Sequence, residues 1–89
     1  MDNNSKRNNQ FCTDKPLYDY SIKYDISHLP IDLQEIVKEL EELDVVGDWF
    51  SYDLKFPELD ITAKSYWRIN IISEYDYKTL LKKYGGIYD

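Results

Sequence analysis

One cysteine in 89 residues, Cys12, excludes an intrachain disulfide and fits a reducing compartment. One histidine, His28, together with that cysteine cannot supply a zinc cage. The three glycines, Gly47, Gly85 and Gly86, make no phosphate-cradling loop, and no D-x-D-x-D-G run offers a calcium site. No apolar run approaches the ~20 residues that cross a bilayer. The first ten residues, MDNNSKRNNQ, lack the hydrophobic stretch of a signal peptide. These absences lead us to expect a cytoplasmic protein with no cofactor, no metal and no membrane partner.

Aromatic residues and carboxylates are what the chain has in quantity. Aromatics make up 16% of the sequence, and nine of them are tyrosine, a side chain with large contact area and a hydroxyl that tolerates water. The net charge is −6, and it is unevenly placed. Residues 17–62 hold twelve acids against Lys23, Lys38 and Lys55, whereas residues 63–89 are slightly basic. A block of one sign implies an oriented field and argues against direct binding of nucleic acid, whose phosphates it would repel.

Residues 1–16 are polar and Asn-rich and read as a disordered tail ahead of a single small domain, residues 17–89. In "YDYSIKYDIS", residues 18–27, Tyr and Ile alternate with Asp, Ser and Lys, the period of a strand with one dry face. Leu29, Leu33, Ile36, Leu40 and Leu43 then form the stripe of an amphipathic helix over about 30–44, with Pro30 at its start or Asp32 and Glu35 as a capping box. Trp49, Tyr52, Phe56, Leu59, Ala63, Tyr66 and Asn70 continue a helical period over 48–69, kinked at Pro57. An alternative makes 48–56 a strand paired with 18–26, because Phe50, Tyr52, Leu54 and Phe56 also share one strand face. Ser73 with Asp76 is a capping box for a helix over 73–84, ended by Gly85 and Gly86. The fold class expected is therefore mainly α: three helices and an N-terminal extended or β segment, 18–26. That segment either lies as an arm on the helices, forms a ribbon across a homodimer, pairs with 48–56, or augments a sheet on a target.

Three stretches, "DWFSYDLKF" (48–56), "AKSYW" (63–67) and "IISEYDYKTLLKKYG" (71–85), resemble small acidic proteins of Gram-positive phages and mobile elements. The resemblance implies a helical C-terminal half and a mobile-element setting, and no activity comes with it.

No catalytic pattern ties His28 to a nucleophile, so no enzyme is expected. The constellation with most content is Asp32, Glu35, Glu39 and Glu42, spaced three, four and three on one helix. Such a row sets a carboxylate every ~5 Å over about 15 Å. It is either a solvated face or a stand-in for phosphates, suited to a basic groove on a nucleic-acid-binding protein. Asp19, Tyr20, Tyr24 and Asp25 combine acid with aromatic, a surface suited to gripping arginine. The expected function is non-enzymatic inhibition of a basic nucleic-acid-handling protein, of the anti-defence, anti-CRISPR type. The rival is a homo-oligomer that uses the Tyr/Ile segment as its interface.

Overall fold

A computed structural model of the protein describes residues 18–87. Three helices account for most of them: α1 (Ile31–Val46), α2 (Trp49–Arg68) and α3 (Glu74–Gly85). An arm, residues 18–30, precedes α1 without regular structure, and no strand occurs among the described residues. The tail expected at 1–16 lies outside them.

Each helix follows from its local chemistry. The apolar stripe of α1 buries Leu33, Ile36, Val37 and Leu40. Its start differs from the capping-box reading: Pro30 is the N-cap and Asp32 lies inside the helix, so no side chain caps it. Proline suits that place because it has no N–H to leave unpaired. Its end also comes later than 44. Val45 and Val46 stay helical, and Gly47 closes the helix at φ 77°, a left-handed conformation that costs glycine little. Asp48 then caps α2, its carboxylate accepting from the Ser51 N–H at 3.1 Å.

The helical reading of 48–69 holds, and the strand alternative for 48–56 does not. α2 runs through Pro57 as one helix, although the ring leaves the Asp53 carbonyl without its usual N–H partner. Asn70 ends the element at φ 63°, as its tolerance of that region predicts. The Ser73/Asp76 capping box forms with both reciprocal bonds, and α3 ends at Gly86, also left-handed.

Side chains fix how the helices run. Asp32 meets Tyr66 and Glu39 meets Lys55, so α1 and α2 are antiparallel. Asp60 meets Tyr77 and the Tyr52 hydroxyl reaches the Tyr84 carbonyl, so α2 and α3 are antiparallel too. α2 is thus the middle element, and one core gathers Leu33, Val37 and Leu40 from α1, Tyr52, Leu59 and Ala63 from α2, and Leu80 and Tyr84 from α3.

The arm lies on this bundle without a hydrogen-bonded ladder. Tyr18, Tyr24 and Ile26 pack against the core while Lys23, Asp25 and Ser27 face out, so the alternation of the sequence survives over 22–27 in an irregular backbone; at 18–21 it breaks, with Tyr20 52% exposed and Asp19 half-buried. Lys83 of α3 pins it from both ends of its own residue. The Lys83 carbonyl accepts the Asp19 N–H at 2.7 Å, and its ammonium, buried above the rings of Tyr18 and Tyr84, donates to the Ile22 carbonyl at 2.6 Å. The segment finds its partner inside the protomer, as an arm on the helices.

Candidate protein-binding surface

Asp32, Glu35, Glu39 and Glu42 stand exposed along one edge of α1, and the helical spacing carries that edge on to Val46, four residues beyond Glu42. Val45 and Val46 are 83% and 73% exposed. Two shallow depressions meet at this end, one lined by Lys38, Glu41, Glu42, Val45 and Val46, the other by Glu39, Glu42, Leu43 and Val46. An acidic edge ending in a bare apolar tip is the result.

The four carboxylates are not equivalent. Asp32 accepts the Tyr66 hydroxyl through both oxygens at 3.0 Å and also takes the Leu33 N–H. A phenol is a neutral donor, so this bond orients the carboxylate and leaves its charge in place. Glu39 is different: the Lys55 ammonium binds it and Glu58 together, and both acids hold the lysine's pKa up. The middle of the row is therefore half-compensated from α2. Glu35 and Glu42 have no hydrogen-bond or ionic partner among the described residues.

The second group of expected contact residues, on the arm, is committed to the fold. Asp19 and Asp25 accept from Ser21 and Ser27 two residues on, the local turns that short acidic side chains favour. Those bonds hold the Asp25 carboxyl below its ordinary pKa. Tyr20 stacks on Tyr18 and donates to Asp44 at 2.6 Å. Tyr24 donates to Asp76 at 2.6 Å, and burial, then this carboxylate, push its phenol well up.

The arm and the acidic edge are separate surfaces. Glu41 takes both the Tyr18 and Tyr84 hydroxyls, and with Asp44 it anchors the arm. Glu41 is two residues from Glu39, and Asp44 two from Glu42, which turns each pair about 200° apart around the helix. Tyr18 and Tyr20 thus meet α1 on the flank away from Glu39 and Glu42, while Asp19 and Tyr24 bond to α3, at the Lys83 carbonyl and at Asp76, and Asp25 to its own neighbour Ser27.

Asp76 is a junction: it accepts from Tyr24, lies 2.9 Å from the His28 Nε2, and closes the capping box with Ser73. Burial alone would raise its pKa. The bonds from Tyr24, His28 and Ser73 outweigh burial and bring it down to about 2. His28 is therefore tied to a carboxylate that spends its remaining capacity on a helix cap. Among the described residues, no three His, Cys, Asp or Glu side chains gather to hold a metal ion, and no helix is long and apolar enough to cross a membrane.

Two features escaped the sequence reading. Val45 and Val46 fall beyond the helix expected over 30–44, whereas they are the exposed last turn of α1. Phe50, Leu54, Pro57 and Ile61 form a second stripe on α2, all exposed. Its spacing of four, three and four was available in the sequence, masked by the longer stripe that does form the core.

The architecture defines a small three-helix protein with an N-terminal arm. No family model, curated protein or solved structure matches the chain.

Proposed function

We propose that this is a non-enzymatic binding protein that docks the acidic edge of α1, with Val45 and Val46 as the apolar anchor, onto a basic nucleic-acid-binding surface of another protein and so blocks it. The observation that carries this reading is the join of two features on one edge. Glu35 and Glu42 are free of partners among the described residues, and the turn that follows exposes two valines beside them. An apolar centre rimmed by charge is the usual anatomy of a protein contact. The surrounding field is negative because most of the other carboxylates accept from neutral phenols, hydroxyls or backbone N–H groups, which leave their charge intact. In the mobile-element setting implied by the sequence resemblance, the target is a nucleic-acid-handling defence protein.

The test uses the tagged protein as bait in a host lysate, with bound proteins released by duplex DNA. The expected catch is a nucleic-acid-binding protein held at low salt and displaced by DNA. The double variant Glu35→Lys, Glu42→Lys slows its association by about tenfold or more, since steering scales with the charge presented. Lys55→Gln uncovers Glu39 and speeds association. A partner indifferent to salt and to both variants sinks the reading.

A further inference from the structure

α2 carries apolar residues on two opposite faces, and only one is used by the fold. Tyr52, Leu59 and Ala63 are buried between α1 and α3. On the opposite side Phe50, Leu54 and Ile61 are 53%, 66% and 67% exposed, with Pro57, itself exposed, between them. Together they form a straight stripe about 16 Å long at the 1.5 Å rise of a helix. Contiguous apolar surface of this kind on a small domain marks a contact site.

The flanks of the stripe identify what it contacts. By helical spacing Asp53 and Lys64 lie along the same side of it, about three turns apart. Arg68 continues the stripe beyond Ile61 at i+7. None of Asp53, Lys64 and Arg68 has a hydrogen-bond or ionic partner among the described residues. Asp53 stays unpaired, and burial pushes its carboxyl pKa up with no donor to offset it. The face is therefore acidic toward its N-terminal end, basic toward its C-terminal end, and apolar along the middle. Such a face complements itself when turned end for end. A twofold axis near Pro57 and Glu58 sets Asp53 of each copy against Lys64 of the other and lays the two apolar stripes together. A parallel arrangement would instead leave like charges at the same height on opposite rims and form no ion pair. An isologous pair needs this self-complementarity.

We infer that the protein forms an antiparallel homodimer through the outer face of α2, with Phe50, Leu54, Pro57 and Ile61 as its centre and two reciprocal Asp53–Lys64 ion pairs at its rim. This interface is distinct from the acidic edge of α1, and a dimer built on it would present two such edges to a target.

Sedimentation across a concentration series tests the inference, with circular dichroism to check that each variant is folded. The wild-type protein is expected to shift from monomer to dimer. Leu54→Asp and Ile61→Asp, on exposed positions, give a folded monomer. Asp53→Lys and Lys64→Asp each weaken the dimer by about tenfold, and the two together restore it, since opposite charges face one another again. A wild-type monomer at the highest soluble concentration overturns the proposal. So does a dimer that survives Leu54→Asp with Ile61→Asp, or a double charge reversal that fails to recover the dimer while the fold is intact.

Discussion

Tyrosine is the residue whose use differs most from its appearance in the sequence. Interleaved with acids, it reads as a surface for gripping arginine. In the fold, the hydroxyls of Tyr18, Tyr20, Tyr24, Tyr66, Tyr77 and Tyr84 each donate to a carboxylate of another element. The acids that give the chain its charge are in large part the acceptors that let so many phenols be packed into a small domain. Asp76 shows the energetic consequence. Its folded pKa, about 2, lies below the ordinary value of 3.8, so its contribution is fully present above pH ~4 and is lost as pH falls toward 2. With allowance for solvent screening, we expect Asp76→Asn to cost about 1–2 kcal/mol at neutral pH. The cost should shrink as pH falls through 2 and vanish below it, where the wild-type carboxyl is itself protonated. Urea unfolding of both proteins across that range measures the difference. A cost that stays constant with pH would show that Asp76 acts through shape alone.

Among the elements, α2 carries the most conflict. It holds Pro57 in its interior, yet it is the longest helix and the one on which both others pack. Tertiary burial of Tyr52, Leu59 and Ala63 overrides a local penalty that in a bare helix is about 3 kcal/mol. Restoring the N–H with Pro57→Ala should therefore raise stability, by about 1–3 kcal/mol, seen as a higher denaturant midpoint at unchanged slope. The same residue sits in the middle of the proposed interface, where a ring replaced by a methyl removes contact area. The variant is thus expected to be more stable as a monomer and weaker as a dimer.

At the scale of the whole molecule the arm decides how much core there is. Three short helices from a chain this size bury little, and a domain of some 70 residues is stable by about 4–10 kcal/mol. The arm adds Tyr18, Tyr24 and Ile26 to the hydrophobic cluster and gives the buried Lys83 ammonium its carbonyl partner. A chain beginning at His28 should lose about 2–4 kcal/mol, from half-buried side chains alone, and leave Lys83 buried with no acceptor in the arm. The expected result is a broad, low-temperature melting transition in place of a cooperative one. A truncated protein that melts like the full chain would show that the arm rests on the bundle without supporting it. That arm also bears on the rival reading of the sequence, a homo-oligomer joined through its Tyr/Ile segment: the inward side chains there are already spent within the protomer, and the free apolar face is on α2.

From spacing alone the start of α1 stood open between Pro30 and Asp32 and 48–56 between helix and strand, but the stripes of α1 and α3 and the α3 capping box were legible. These depend on spacings of three and four and on neighbours within one turn, as at Ser73 with Asp76 or at Gly47. The wet and dry sides of 22–27 were legible as well, though Tyr20, on the dry side of the pattern, is exposed. That this alternation needs no sheet came from the packing, because three helices supply the dry surface and Lys83 supplies the missing backbone partners. The packing likewise decided that Glu39 is compensated by Lys55 while Glu35 and Glu42 are not, and that the arm and the acidic row face different ways. Local periodicity sets which side of a segment is buried. Which distant side chain a carboxylate meets depends on how whole elements cross, and no spacing within one element encodes that.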